Sequence, residues 1–132
     1  VLIASLLAAG CGGSKSQTYN MAPMDEMPLE VQDAPTVVSE AYRFAAGNPE
    51  VLQQLPCYCG CGTMGHTSNY SCYVTGGNTD GSLAFDNHAL SCSICVDITQ
   101  DAKRMFDEGK TLPEIRTYVD QTYSPFGPSN MP

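Results

Sequence analysis

Six of the seven cysteines and both histidines of the chain lie within residues 57–95. Thiolate sulfur and imidazole nitrogen are side-chain ligands that suit Zn(II) and Cu(I). A cluster of these residue types therefore indicates a metal site, with disulfide or thiol redox chemistry as the alternatives. The residues concerned are Cys57, Cys59, Cys61, His66, Cys72, His88, Cys92 and Cys95.

The spacing of the cysteines allows several sulfur atoms to reach one centre. In residues 57–61 the cysteines alternate with single residues, and Gly60 lets this loop turn. Cys92 and Cys95 are three residues apart at the start of a predicted helix, so both sulfurs lie on one face. The N-terminus of that helix also favours the thiolate form. We predict that all six cysteines bind a soft metal, copper first and zinc second, with His66 as the leading nitrogen donor.

Two alternatives use the same cysteines differently and stay open at this point. A thiol–disulfide oxidoreductase would use Cys92 and Cys95 as its redox pair, and only in that case would the protein be an enzyme. A disulfide-stapled binding module would pair all six cysteines, which their even number allows. Val96 stands where covalent c-type haem attachment requires histidine, so we expect no haem. His88 precedes the predicted helix and is interpreted as a capping or surface residue.

Composition limits the size of the fold and the class of its partners. The chain has 132 residues, which allow one small domain with a tail. Its 14 acidic and 6 basic residues give a net charge of −8, which excludes binding of nucleic acid through a basic face. No apolar run approaches the roughly 20 residues of a membrane-spanning helix.

Residues 1–10 are predicted to be the remainder of a signal peptide. They form a short apolar run with small residues at its end, directly before Cys11. This pattern is similar to a bacterial lipobox, in which the cysteine is lipidated and becomes the first mature residue. We expect an extracytoplasmic protein anchored to a bacterial membrane by lipid on Cys11. The alternative is a plain secretory signal that precedes a cysteine by chance.

Residues 11–34 are predicted to be a flexible tether, because they are rich in Gly, Ser, Pro and acidic residues and show no sustained apolar period. Met21, Met24 and Met27 recur at a spacing of three within this segment. Thioether sulfur is a soft ligand suited to Cu(I). From the methionines alone, however, ordinary linker composition is the favoured interpretation.

The folded part is predicted to be mainly α, a small three- to four-helix domain over residues 35–126 with a tail at 127–132. An irregular Cys-rich lobe and one β-hairpin interrupt the helices. We expect the long helix to pack on the first one, which would place Cys92 and Cys95 beside residues 57–61. The predicted helices are residues 36–46, a short one from Pro49, residues 91–108, and one that a capping box opens at Thr111; the predicted strands are residues 70–74 and 82–85.

The hexapeptide at residues 56–61 resembles the motif of the bacterial PCYCGC-motif lipoproteins. The resemblance continues over roughly residues 35–126 through Gly65-His66, Ser68-Asn69, Cys72, Phe85-Asp86, His88-Ala89, Cys92-x-x-Cys95, Asp97-Ile98, Gly109-Lys110 and Glu114-Ile115-Arg116. It implies an extracytoplasmic lipoprotein of unknown function. Association with metal-handling systems is also implied, so that a metal-handling or redox protein is the expected partner.

A second, weaker resemblance covers residues 92–126. The Cys-x-x-Cys helix, followed by Gly109 and Glu114-Ile115, is similar to the thiol-reductase subunit of cytochrome c maturation. That resemblance implies a small three-helix domain with a redox dithiol. The further cysteines at 57, 59, 61 and 72 depart from its single pair.

Overall fold

The computed structural model describes residues 16–132. This part of the chain is mainly helical, with one two-stranded antiparallel hairpin and a Cys-rich lobe, so the predicted fold class is confirmed. Short 3₁₀ turns connect several of the elements. The α-helices are α1 (Leu29–Gln32), α2 (Thr36–Gly47), α3 (Pro49–Leu52), α4 (Ser93–Asp107) and α5 (Leu112–Tyr123), and the strands are β1 (Val74–Gly77) and β2 (Leu83–Phe85).

The core lies where α4 packs between α2 and α5. Each of these helices carries an apolar stripe at helical spacing, which must be buried against a neighbour. Phe44 on α2, Ile98 on α4 and Ile115 on α5 are all fully buried. The packing of α4 on α2 brings the N-terminal end of α4 to the Cys-rich lobe.

The ends of α4 and α5 follow from local sequence. Gly109 adopts a φ of 78°, the left-handed conformation that commonly ends a helix and that glycine adopts without steric cost. The side chain of Thr111 accepts a hydrogen bond from the Glu114 backbone, and the Glu114 carboxylate accepts one from the Thr111 backbone. This confirms the predicted capping box.

The hairpin begins later than predicted. Residues 70–72 form a 3₁₀ turn, not the first half of a strand, because backbone hydrogen bonds close a turn from Cys72 to Asn69 and from Tyr73 to Tyr70. Strand β1 then pairs Val74 with Phe85, with an irregular register before Gly76. The turn places Cys72 inside the lobe, where it is fully buried.

The predicted tether is packed on the helices over its described part, residues 16–34. Met27 and Val31 are buried in the core, and the ring of Tyr19 packs edge-on against Phe44 at 5.4 Å between ring centroids. Met27 lies before α1 in extended backbone and Val31 lies within α1, so no helical period links the two buried side chains. The predicted signal peptide and lipidated Cys11 lie outside the described residues.

Paired hydrogen bonds hold this N-terminal segment to the end of α2. The Asn48 side chain accepts from the Asn20 backbone N–H at 2.9 Å and donates to the Asn20 carbonyl at 2.6 Å. Arg43 Nε donates to the Ala22 carbonyl at 2.7 Å. A Cβ atom on Gly47 would lie only 2.5 Å from the Asn20 oxygen, so this approach requires glycine.

Within residues 16–132, no helix has both the length and the apolar character needed to cross a membrane.

Candidate metal centre

The cysteine loop and the first turn of α4 meet through their sulfur atoms. Cys57 Sγ lies 3.2 Å from Cys95 Sγ and 3.4 Å from Cys59 Sγ. Cys59 Sγ lies 3.6 Å from Cys95 Sγ. Two sulfurs bound to one tetrahedral zinc are about 3.8 Å apart, given Zn–S bonds of about 2.3 Å. The predicted proximity of the two cysteine groups is therefore confirmed, at separations close to those of a metal site.

The remaining cysteines extend the same cluster on both sides. Cys92 Sγ lies 3.4 Å from Cys95 Sγ, and Cys61 Sγ lies 3.7 Å from Cys72 Sγ. All six cysteines of the described chain are free thiols. The six thiols thus form one continuous group. Three separate disulfides would need only three pairs of neighbouring sulfurs and not this convergence.

The donor atoms form two four-residue groups, each with all of its ligand atoms within 4.8 Å of one another. The outer set consists of Cys59, His88, Cys92 and Cys95, and the inner set consists of Cys61, His66, Cys72 and His88. Two groups of three thiols also satisfy this limit: Cys57 with Cys59 and Cys61, and Cys57 with Cys72 and Cys95. Cys57 belongs to both of these.

Exposure distinguishes the two sets. Cys59 and Cys92 of the outer set are half-buried and its Cys95 is buried, whereas Cys61 and Cys72 of the inner set are both almost completely buried. The outer set therefore faces the solvent, and a metal ion would enter through it.

The C-terminal segment holds the cysteine loop in place. The Cys57 backbone N–H donates to Asn130 Oδ1 at 2.7 Å, and the Asn130 N–H donates to the Cys57 carbonyl at 3.1 Å. Asn130 Nδ2 donates to the Ser68 carbonyl at 3.1 Å and lies 3.6 Å from Cys61 Sγ. Residues 127–132 were predicted to be a tail, yet Asn130 is part of the site; no local pattern in the sequence indicates this role.

A buried polar network fixes the other side of the lobe to α4. The Tyr73 hydroxyl donates to the Cys95 carbonyl at 2.8 Å, and Asn69 Nδ2 donates to the same carbonyl at 3.3 Å. Thr99 Oγ1 donates to Asn69 Oδ1 at 2.7 Å. Asn69, Tyr73 and Thr99 are all fully buried, and satisfied networks of this kind make a region rigid. The position of Cys95 is thereby fixed relative to the lobe.

His88 belongs to the site, contrary to the predicted capping or surface role. Its backbone N–H donates to Asp86 Oδ1 at 2.7 Å at the start of the 3₁₀ turn His88–Leu90. This turn places His88 Nε2 3.4 Å from Cys59 Sγ. The sequence signal was its position among the cysteines, four residues before Cys92.

His66 has the arrangement of a metal ligand. The ring is 8% exposed, and its Nε2 lies 3.3 Å from Asp86 Oδ2. The carboxylate favours a proton on Nε2, which leaves Nδ1 as the nitrogen with a free lone pair. Nδ1 is buried and has no hydrogen-bond partner among residues 16–132. A buried polar atom without a partner, in a group with two thiols, is available to bind a cation.

The thiols of the metal-free cluster do not ionise independently. The neighbouring thiols of Cys72 and Cys95 stabilise the Cys57 thiolate and hold its pKa well below the ordinary value. Burial raises the pKa of Cys59 and of Cys61. Hydrogen bonding with Cys57 raises the pKa of Cys72 and of Cys95. One thiolate at Cys57 therefore disfavours the ionisation of the other four, unless a cation is bound.

Comparison with known proteins identifies a family but no characterised relative. A family model described as "Protein of unknown function with PCYCGC motif" matches residues 1–130. The match includes the packed N-terminal segment and Asn130 as well as the cysteine loop. No curated protein and no solved structure matches the chain.

Proposed function

The chain belongs to the PCYCGC-motif family, and we propose that it is a lipid-anchored bacterial protein that binds copper, or secondarily zinc, outside the cytoplasm. One observation carries the metal-binding part of this proposal. Six free thiols and two imidazoles converge, and the buried Nδ1 of His66 has no partner among the described residues.

Copper is the preferred cargo because of the softness of the donors. Thiolate ligands select Cu(I) or Zn(II) over harder cations such as Mg(II) and Ca(II). A net charge of −8 also favours the approach of a cation and disfavours that of an anion. Zinc remains the second cargo, since the outer and inner sets each contain the four donors of a tetrahedral zinc site.

The partial exposure of the outer set supports a role in metal transfer. A metal ion whose ligands are all buried cannot be reached by the donor atoms of another protein. Here the half-buried Cys59 and Cys92 stand between solvent and the buried thiols. A partner that presents thiols of its own can reach the bound ion at these two residues. The partner class that this chemistry favours is another metal-handling protein.

Lipid anchoring rests on the sequence around Cys11 and on the resemblance to lipoproteins. Expression in a bacterium with labelled fatty acid tests it directly. We expect label on the wild-type protein and none on the Cys11→Ser variant. Equal recovery of both proteins in the soluble extracytoplasmic fraction would contradict the anchor without affecting the metal site.

An anaerobic titration tests metal binding. The reduced chain competes with a chromogenic chelator for Cu(I), and in a second series for Zn(II). We expect a Kd tighter than micromolar, which corresponds to a binding free energy of more than about 8 kcal/mol in magnitude. The Cys59→Ser variant should bind more weakly, and a Ser93→Ala variant, altered at an exposed neighbour, should bind as the wild type does. Binding of both metals weaker than micromolar would overturn the proposal.

A thiol–disulfide oxidoreductase is the second candidate, because Cys92 and Cys95 lie 3.4 Å apart at a helix N-terminus and Cys92 is half-exposed. That function depends on these two residues alone. Reduction of a mixed disulfide by the Cys59→Ser variant at the wild-type rate, together with weak metal binding, would favour it. Loss of metal binding in that variant without any reductase activity in the wild type would exclude it.

A further inference from the structure

The geometry points to a centre that holds two metal ions joined through the sulfur of Cys57. This inference rests on the metal-binding function proposed above and adds its stoichiometry and architecture. It starts from the number of donors. A tetrahedral ion takes four ligands, whereas eight donor residues converge here.

The donors divide into two sites of four. The outer and inner sets have only His88 in common. One ion in the outer set would leave Cys61, Cys72 and His66 buried and without a ligand role. The orphaned Nδ1 of His66 belongs to this inner set, and a second ion bound there would give it a partner. Two ions are needed to use both sets of donors.

Cys57 is the residue that connects the sites. Its sulfur lies 3.2 Å from Cys95 and 3.4 Å from Cys59, which both belong to the outer set. It also lies within 4.8 Å of Cys61 and of Cys72, which belong to the inner set. Cys57 is fully buried between them. A thiolate sulfur has lone pairs for two ions, so Cys57 can complete both sites at once.

Two further points favour a shared thiolate. With Cys57 shared, Cys59, Cys92 and Cys95 complete four ligands around the outer ion. Cys61, His66 and Cys72 complete four around the inner ion, so both tetrahedra close without a ligand from His88. A second cation also offsets more of the negative charge that several buried thiolates bring together, and uncompensated buried charge is costly. The inner ion should exchange more slowly than the outer one, since Cys61 and Cys72 are almost completely buried.

Cadmium provides a probe, because Cd(II) prefers thiolates as Zn(II) does and one of its isotopes is visible by NMR. The reduced full-length chain is titrated with this isotope under anaerobic conditions and the bound metal is counted by native mass spectrometry. We expect two ions per chain and two cadmium resonances with scalar coupling between them, since the coupling passes through a bridging sulfur.

The outcomes separate the inference from the proposed function. Binding of one ion would overturn the two-ion centre and leave metal binding intact, whereas binding of none would overturn both. Two resonances without coupling would overturn the bridge. The Cys57→Ser variant should lose the coupling, whereas Cys92→Ser, which removes a non-bridging thiol, should keep it. If Cys57→Ser does not fold, the coupling in the wild-type protein decides the question alone.

Discussion

The sulfur atoms of Cys57 and Cys95 lie 3.2 Å apart, although 38 positions separate these residues in the chain. One follows helix α3 and the other lies in the first turn of α4. A metal ion bound near this pair therefore ties together two parts of the fold that are distant in sequence. Metal binding and fold stability must be coupled at this point.

Loading the site should stabilise the fold. A ligand present at 100 times its Kd, and bound only by the folded state, adds about 2.7 kcal/mol to the free energy of unfolding. We expect a rise in Tm when one equivalent or more of Cu(I) or Zn(II) is added to the reduced chain. Thermal melts of the Cys95→Ser variant serve as the control. An identical Tm with and without metal in the wild type would show that the cluster does not bind it.

Asp86 should control metal affinity without binding the metal. Its carboxylate contacts the His66 ring and the His88 backbone N–H, and loss of such an outer contact costs about 10- to 100-fold in affinity. We expect this loss in Asp86→Asn, measured by chelator competition, with an unchanged circular dichroism spectrum. The matched control is Asp25→Asn, which alters an exposed carboxylate. An affinity equal to that of the wild type would show that Asp86 does not influence the metal site.

Metal binding should release protons and strengthen as the pH rises. The pKa values of Cys59, Cys61, Cys72 and Cys95 are raised, so these thiols are protonated in the metal-free protein at neutral pH. A metal binds thiolates, and their protons must leave. Lower pH therefore disfavours binding through these groups. Calorimetry in buffers of different ionisation enthalpy measures the release, and a buffer-independent heat would contradict it.

The N-terminal segment should contribute to stability. Met27 is buried in the core, and replacement of a buried methionine by alanine costs about 2–5 kcal/mol. We expect a loss in this range for Met27→Ala in urea denaturation. Leu29→Ala is the control, since Leu29 is 73% exposed and surface changes stay within about 0.5 kcal/mol. Equal unfolding midpoints for the two variants would mean that the segment is not part of the stable fold.

Asn130 should support the cysteine loop from the C-terminal segment. Removal of its side chain leaves the Cys57 N–H and the Ser68 carbonyl without their partner, at a cost of about 1–3 kcal/mol for a buried group. We expect Asn130→Ala to lower both the stability and the metal affinity. Gln121→Ala, at an exposed position of α5, should change neither. A normal affinity in Asn130→Ala would show that the loop holds its shape alone.

The parts of this fold that the sequence predicted depend on local signals. The capping box at Thr111 and the glycine after α4 act within a few residues. The meeting of residues 57–61 with Cys95 followed from the expected packing of the long helix on the first one. The contact of Asp86 with His66 and those of Asn130 with Cys57 and Ser68 join residues 20 to 73 positions apart, so only the folded arrangement reveals them. The N-terminal segment is held by hydrogen bonds between the Asn20 backbone and the Asn48 side chain and by the isolated buried side chains of Met27 and Val31, which form no apolar period.

X-ray absorption at the metal edge of the loaded, anaerobically handled chain, together with a count of free thiols in the unloaded chain after denaturation, tests the central claim most directly. The account predicts six free thiols in residues 57–95 and a metal surrounded mainly by sulfur, with a minor nitrogen contribution from histidine. For zinc, the sulfur distance should be about 2.3 Å. A metal environment of oxygen and nitrogen alone, or cysteines that react only after reduction of disulfides and then bind no metal, would contradict it.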